Sequence, residues 1–206
     1  MVKYDVNDSY FDHKHGVLIN KLGIKDPEEL QSREKDCLVK AYKKAAEKFS
    51  ENHVFSEKDV CDIHKLFLGD LYDWAGKYRT VDLSSENIRF CHAAYIKNHM
   101  KDFSIALEAL TPLTPFSEDL NKEQILARLG KIHGELIIIH PFRDGNGRFT
   151  RLLCDLLLMQ ANYLPMAVSE FYNTDFAKKY HEAIHEVWRA VDYSKLISLF
   201  DPLVSR

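Results

Sequence analysis

Twelve consecutive residues, His140-Pro141-Phe142-Arg143-Asp144-Gly145-Asn146-Gly147-Arg148-Phe149-Thr150-Arg151, bring a base, an acid, a glycine-rich turn and arginines into one short segment. Those residue types suit phosphate transfer. Gly145, Asn146 and Gly147 can turn several backbone N–H groups toward one point, because glycine tolerates the positive φ that a concave anion nest needs. A helix beginning at about Arg148 would add its unpaired N–H groups and the positive end of its dipole. Arg148 and Arg151, three apart, share roughly one helix face and can give charge-assisted hydrogen bonds to phosphate oxygens. Asp144 is a hard oxygen ligand for the Mg²⁺ that accompanies a nucleotide. His140 ends an apolar run, and with an ordinary pKa near ~6.5 it can take a proton from an incoming hydroxyl. Singly, each has a plainer explanation: a satisfied histidine at a helix end, a turn, a solvated helix face. Together, at this spacing, they describe a site for a nucleoside triphosphate.

The segment resembles the signature of the Fic family, HxFx[D/E]GNGRxxR, through His140, Phe142, Asp144, Gly145, Asn146, Gly147, Arg148 and Arg151. The resemblance implies transfer of the AMP part of ATP to a hydroxyl side chain (Ser, Thr or Tyr) of a target protein, with release of pyrophosphate. It implies His140 as general base, Asp144 as Mg²⁺ ligand, Gly145 to Gly147 as anion hole and Arg151 as the γ-phosphate contact. Phe142 would be a structural anchor, and Arg148 would either touch phosphate or brace the loop. The related Doc branch has lysine in place of Gly147 and transfers phosphate, so glycine points to nucleotide transfer.

A second stretch, Leu71-Tyr72-Asp73-Trp74-Ala75-Gly76-Lys77-Tyr78-Arg79, is similar to the family's YxWAGxxR segment. After it, Val81 and Leu83 alternate with polar residues, Ser84 to Asn87 is turn-like, and Ile88 and Phe90 alternate again around Arg89, which predicts a short hairpin. Read alone, this is a small decoration on a helical body. The resemblance implies a flap at about residues 79–91 that covers ATP and registers an extended target segment by β-augmentation, through Val81, Leu83, Asn87, Ile88, Arg89 and Phe90.

The elements that must hold these residues read as helices, so the expected fold class is all-α, a mainly helical body with that one flap. Asp26-Pro27-Glu28-Glu29 is an N-cap with proline at the first helical position, opening a helix with Leu30, Leu38, Ala41, Tyr42, Ala45 and Phe49 inward. Ser56 to Asp59 opens another with Val60, Ile63, Phe67 and Leu71 inward. Ile96, Met100, Phe103, Leu107 and Leu110 recur at spacings of four and three until Thr111-Pro112. Ile125, Leu129, Ile132, Leu136 and Ile139 do the same into His140, and Leu152, Leu153, Leu156 and Leu157 follow the turn. The motif is therefore expected as a loop joining two buried helices. Residues 1–15 read as a variable leader and residues 16–206 as a single domain, the resemblance running from Gly16 to about Phe200.

Composition bounds the partners. The 206 residues carry a net charge of −3, which argues against a broad nucleic-acid surface. No segment reaches the ~18 consecutive apolar residues of a membrane span, and the start lacks a signal-peptide apolar region. Cys37, Cys61, Cys91 and Cys154 match neither zinc spacing nor a disulfide framework. A cytoplasmic protein, or one delivered into a host cell, is expected.

His181-Glu182-Ala183-Ile184-His185 is a literal HExxH, the pattern of a zinc metallopeptidase. That reading needs a third ligand; Trp188 interrupts the extended form, and only Asp192 or Asp201 could substitute, at unusual spacing. The plainer alternative is a solvated helix face. Many Fic proteins carry an inhibitory [S/T]xxxE[G/N] helix whose glutamate pairs with the second motif arginine, and the candidates Glu51-Asn52 and Glu86-Asn87 lack the required hydroxyl residue. The resemblance then implies a small antitoxin supplying that glutamate in trans, as in a bacterial toxin–antitoxin pair, or an effector role. Transfer of another nucleotide, removal of AMP, and a non-catalytic binding module remain alternatives.

Overall fold

The computed structural model describes residues 9–85, 88–113, 120–166, 171 and 173–206. Seven helices and two minimal hairpins follow one another: β1 (Phe11–Asp12), β2 (Val17–Leu18), α1 (Pro27–Lys48), α2 (Glu57–Leu68), β3 (Ser84–Ser85), β4 (Ile88–Arg89), α3 (Ile96–Leu110), α4 (Lys122–Ile139), α5 (Asn146–Gln160), α6 (Thr174–Ala190) and α7 (Ser194–Phe200). The fold is mainly helical, as the apolar spacing predicts.

Local chemistry fixes the helix starts. Asp26 accepts from the Glu29 N–H at 2.7 Å and Pro27 stands at the first helical position of α1, where the missing N–H costs nothing. Asp59 accepts from the Ser56 N–H and hydroxyl at the start of α2. Asn121 and Gln124 exchange side-chain and backbone hydrogen bonds at the start of α4, the reciprocal arrangement of a capping box.

Helix α4 is the axis of the body and packs on α3, α5, α6 and α7, while α1 and α2 close the other side of α5. Its inward residues Ile125, Leu129, Ile132, Leu136 and Ile139 are all buried, as is the α3 series Ile96, Met100, Phe103 and Leu107. His133, fully buried on α4, meets the Tyr180 hydroxyl at 2.8 Å. Leu71 is buried but lies beyond the end of α2.

Three expectations shift. The helix after the glycine turn begins at Asn146, not Arg148, because Gly145 already takes the N-cap with φ 79°. The hairpin strands are Ser84–Ser85 and Ile88–Arg89, paired Ser84↔Arg89 and Ser85↔Ile88, so the two serines expected in the turn belong to a strand. A second hairpin, β1–β2, crosses the expected boundary at residue 15, with Phe11↔Leu18 and Asp12↔Val17 paired.

Two glycines let α4 touch α7 and α6 closely. A Cβ on Gly130 would sit 2.6 Å from Ile197 Cγ1, and one on Gly134 would sit 3.0 Å from Tyr193 and 3.2 Å from Val187. In a free helix Gly→Ala gains ~1 kcal/mol; here overpacking reverses the sign. Gly130→Ala is expected to destabilise the protein by about 1–2 kcal/mol in urea unfolding, and a variant as stable as the parent would show that the contact is looser than described.

Candidate active site

Helix α4 delivers His140 to the site. His140 is the C-cap, in the left-handed conformation with φ 50° and ψ 58°, and its N–H still bonds the Leu136 carbonyl at 2.9 Å. Pro141 cannot continue the helix. The imidazole is nearly buried, with Nδ1 3.0 Å from the Ile137 carbonyl oxygen. A carbonyl only accepts, so Nδ1 carries the proton and Nε2 is the basic nitrogen of the neutral ring. Phe90, from the end of the flap, stacks on the imidazole at 3.7 Å and 16°.

Arg79 holds this geometry from below. Its Nε donates to the His140 carbonyl at 2.7 Å and its Nη2 to Ile139 at 3.3 Å, and the Arg79 N–H bonds Pro141 at 2.9 Å. The same guanidinium reaches Val81 at 2.6 Å and Cys91 at 2.5 Å, the two feet of the flap. A guanidinium suits this because its donors lie in a fixed fork and its charge complements a helix C-terminus. Nothing in the YxWAGxxR-like segment itself marks Arg79 for this role.

Between base and glycines the loop is fastened to α2. Phe142 is fully buried and stacks on His64 at 3.8 Å and 17°. His64 Nδ1 accepts from the Gly76 N–H at 2.9 Å, so Nε2 must donate to the Asp144 carbonyl, also at 2.9 Å. Burial pushes the His64 pKa down to about 4, which keeps the ring neutral and this relay intact. Gly145 lies against the same helix: a Cβ there would meet Leu68 at 2.8 Å. Nothing in the sequence distinguishes His64 from a core histidine on an apolar face.

The expected anion nest is a helix start. Only Gly145 of the three nest residues has positive φ, and Asn146 and Gly147 open α5. Their N–H groups are the first of the helix and have no intrahelical acceptor. The Asn146 side chain is fully buried, donating to the Phe142 carbonyl at 2.7 Å and accepting its N–H at 3.0 Å. It braces the loop, and only its backbone N–H is available to an anion.

The two arginines diverge. Arg148 pairs with Glu34 of α1 at 2.5 Å and approaches Asp144 at 3.5 Å, with its guanidinium 5.0 Å from the Phe67 ring centre. Glu34 also accepts from the Tyr72 hydroxyl at 2.5 Å. Arg148 thus ties α5 to α1 and also borders the cleft. Arg151 lies over the Phe171 ring at 4.6 Å, and among the described residues no carboxylate pairs with it. A cleft of about 620 Å³ is bordered by His140, Asp144, Gly147, Arg148 and Arg151 on one side, by Ser85, Ile88 and Phe90 of the flap, and by Glu34 and Leu30 of α1.

Asp144 accepts the Gly145 N–H at 2.6 Å through Oδ1 and faces the cleft. No three His, Cys, Asp or Glu side chains converge among the described residues. Of the two carboxylates that border the cleft, Glu34 is bonded to Tyr72 and Arg148, and Asp144 fits Mg²⁺ arriving with phosphates and keeping its own waters. Among the described residues no third metal ligand joins the HEAIH helix face: His181 and Glu182 are exposed, Ala183 and Ile184 are buried, and His185 packs edge-on to Trp188 at 5.8 Å.

The flap residues separate by side. Leu83 and Ile88 are buried, Ile88 and Phe90 line the cleft, and Phe90 covers His140. Arg89 is exposed and Val81 half-buried. Asn87 lies outside the described residues.

The fold defines a mainly helical domain with a cleft over the glycine turn, and similarity narrows the class. The profile of the Fic/DOC family matches residues 54–158. The chain is 36% identical over 166 residues to the protein adenylyltransferase VbhT of Bartonella schoenbuchensis, covering 79% of this chain and 33% of that protein. It is 35% identical over 104 residues to the probable protein adenylyltransferase Fic of Salmonella typhimurium, covering 50% of each. The BepC protein of Bartonella tribocorum, solved with bound AMPPNP, superposes with a TM-score of 0.76 at 21% identity over 97% of this chain and 98% of that one. The chain belongs to the Fic/DOC family. It spans a third to a half of the length of those two curated relatives.

Buried neutral histidines make stability depend on pH. His64, held near pKa 4, and His133, held near 3 by burial, each bind a proton near 6.5 when unfolded. The unfolded state therefore takes up more protons as pH falls below 6.5, and stability drops through that window. Asp155, raised to about 6 by burial, opposes part of this, since its folded form binds the proton first. Urea unfolding at pH 7.5, 6.5 and 5.5 should show stability falling with pH, and His64→Gln should flatten the slope by about one proton. An unchanged slope would show that His64 is not held neutral.

Proposed function

We propose that this chain is a protein adenylyltransferase, moving AMP from ATP to a hydroxyl side chain of a target protein. The observation that carries the reading is the hydrogen bond from His140 Nδ1 to Ile137, which leaves Nε2 as a base beside the start of α5. The phosphates would lie against the N–H groups of Asn146 and Gly147, where the dipole of α5 favours negative charge. Arg151 would take the γ-phosphate. The relatives named adenylyltransferases support the reaction class, and the structural neighbour with AMPPNP supports a nucleotide site in this fold.

In the reaction, the target hydroxyl oxygen bonds the α-phosphorus as the bond from that phosphorus to the β-phosphate bridging oxygen breaks. Pyrophosphate leaves with that electron pair. His140 Nε2 takes the hydroxyl proton, and Phe90 on the ring face excludes water and fixes the ring plane. Mg²⁺, when bound, neutralises phosphate charge, and Asp144 is the residue that would hold it. The fixed N–H groups need no reorganisation as charge develops. Arg148, spent on Glu34 and Asp144, keeps α5 in register with α1.

A carboxylate supplied by a separate small protein would suit Arg151, which has no acidic partner among the described residues. This supports control by an antitoxin in trans. No described helix is long and apolar enough to cross a membrane.

Incubation with Mg²⁺ and α-labelled ATP in bacterial and animal cell lysates tests the proposal. A protein band labelled by the parent should fall about 10²–10⁴-fold with His140→Ala, with ATP affinity nearly unchanged. Equal labelling by both would remove His140 from the reaction. Label appearing only with γ-labelled ATP would mean phosphate transfer instead. Arg151→Ala should raise the KM for ATP about tenfold, a charge-assisted contact's worth; an unchanged KM would remove its assigned contact.

A further inference from the structure

Trp188 belongs to the helix face that carries His181 and His185, which the proposed reaction leaves unused. It is large, 40% exposed, and its indole Nε1–H donates to the Arg89 carbonyl of β4 at 3.0 Å across 99 residues of sequence. The register explains why that carbonyl is available. Phe90 N–H bonds the Leu83 carbonyl at 3.2 Å inside the hairpin, and Ser84 faces Arg89. Arg89 is therefore at a non-hydrogen-bonded position, with its N–H and C=O on the outer edge of the sheet.

We propose that Trp188 is a positioning residue: it pins the outer edge of the flap to α6 and so sets Phe90 over the His140 imidazole. The inference rests on the adenylyl-transfer reading for its kinetic consequence alone. Three consecutive residues carry the argument. The Arg89 carbonyl is held by Trp188 on the outside, and the Phe90 ring lies on His140 at 3.7 Å. The Cys91 N–H bonds the Ile138 carbonyl at 3.1 Å, and the Cys91 carbonyl accepts from Arg79. Phe90 thus hangs between two fixed peptide groups, one fastened to α4 and one to α6. A two-stranded hairpin with two-residue strands is not rigid by itself, so the outer tie decides how closely the ring follows His140.

The test separates geometry from chemistry. Trp188→Phe keeps an aromatic ring on α6 and deletes the N–H together with part of the indole. In the parent, the Phe90 face should shift the His140 ring-proton resonances upfield, with Phe90→Leu giving the uncovered reference. In Trp188→Phe those resonances should move toward the Phe90→Leu positions, while core amide resonances stay in place. Transfer to the labelled target should fall about fivefold in kcat/KM, one net hydrogen bond's worth, with the KM for ATP unchanged. His140 resonances at their parent positions in Trp188→Phe would overturn the proposal. A parent protein that labels nothing would count against adenylyl transfer, while the His140 resonances would still decide for or against the pin.

Discussion

The end of α4 must be buried to form the site, and a buried helix end exposes carbonyls that need donors. The last carbonyls of a helix have no partner in their own helix, and leaving them dry costs about 1–3 kcal/mol each. Arg79 answers this at Ile139 and His140 with its side chain and at Pro141 with its own N–H. Its remaining donors reach Val81 and Cys91. One buried cation therefore satisfies the helix end, seats His140 and closes the base of the flap. Removing any one of these would leave the others without a reason to be where they are.

A second constraint comes from α2. The turn between Phe142 and Asn146 can lie flat on Phe67 and Leu68 only because Gly145 has no Cβ, and the turn is then locked by His64. That ring must be neutral, accepting from Gly76 and donating to Asp144, and burial enforces neutrality. The Trp-Ala-Gly stretch and the glycine turn, distant in sequence, are thus joined through one imidazole.

The helical body was legible because burial leaves a periodic trace: the fours and threes of α3 and α4 are the residues that the core buries. The twelve-residue motif was legible because its members are neighbours in sequence. What the sequence hid lies across long separations. His64 meets Asp144 over 80 residues and Glu34 meets Arg148 over 114, and neither histidine nor glutamate looks unusual on its own helix. The hairpin was legible at its place, with Ile88 in its second strand, but Ser84 and Ser85 extend the first strand and shorten the turn. The β1–β2 hairpin left no trace, two residues per strand being too few to alternate.

Two arginines three apart on one helix differ in duty because their surroundings differ in charge. Arg148 sits between two carboxylates, and a phosphate replacing either would gain only the difference between two charge-assisted contacts. Burial and the Glu34 carboxylate push the Tyr72 phenol far above its ordinary pKa, so Tyr72 stays a donor and keeps Glu34 in place. Arg151 is held instead by the face of Phe171, a contact that balances no charge. An anion entering the cleft would meet Arg151 without displacing a carboxylate of the described residues. That asymmetry, set by a carboxylate on α1 and an aromatic ring beyond α5, is what the proposed assignment of phosphate to the second arginine rests on.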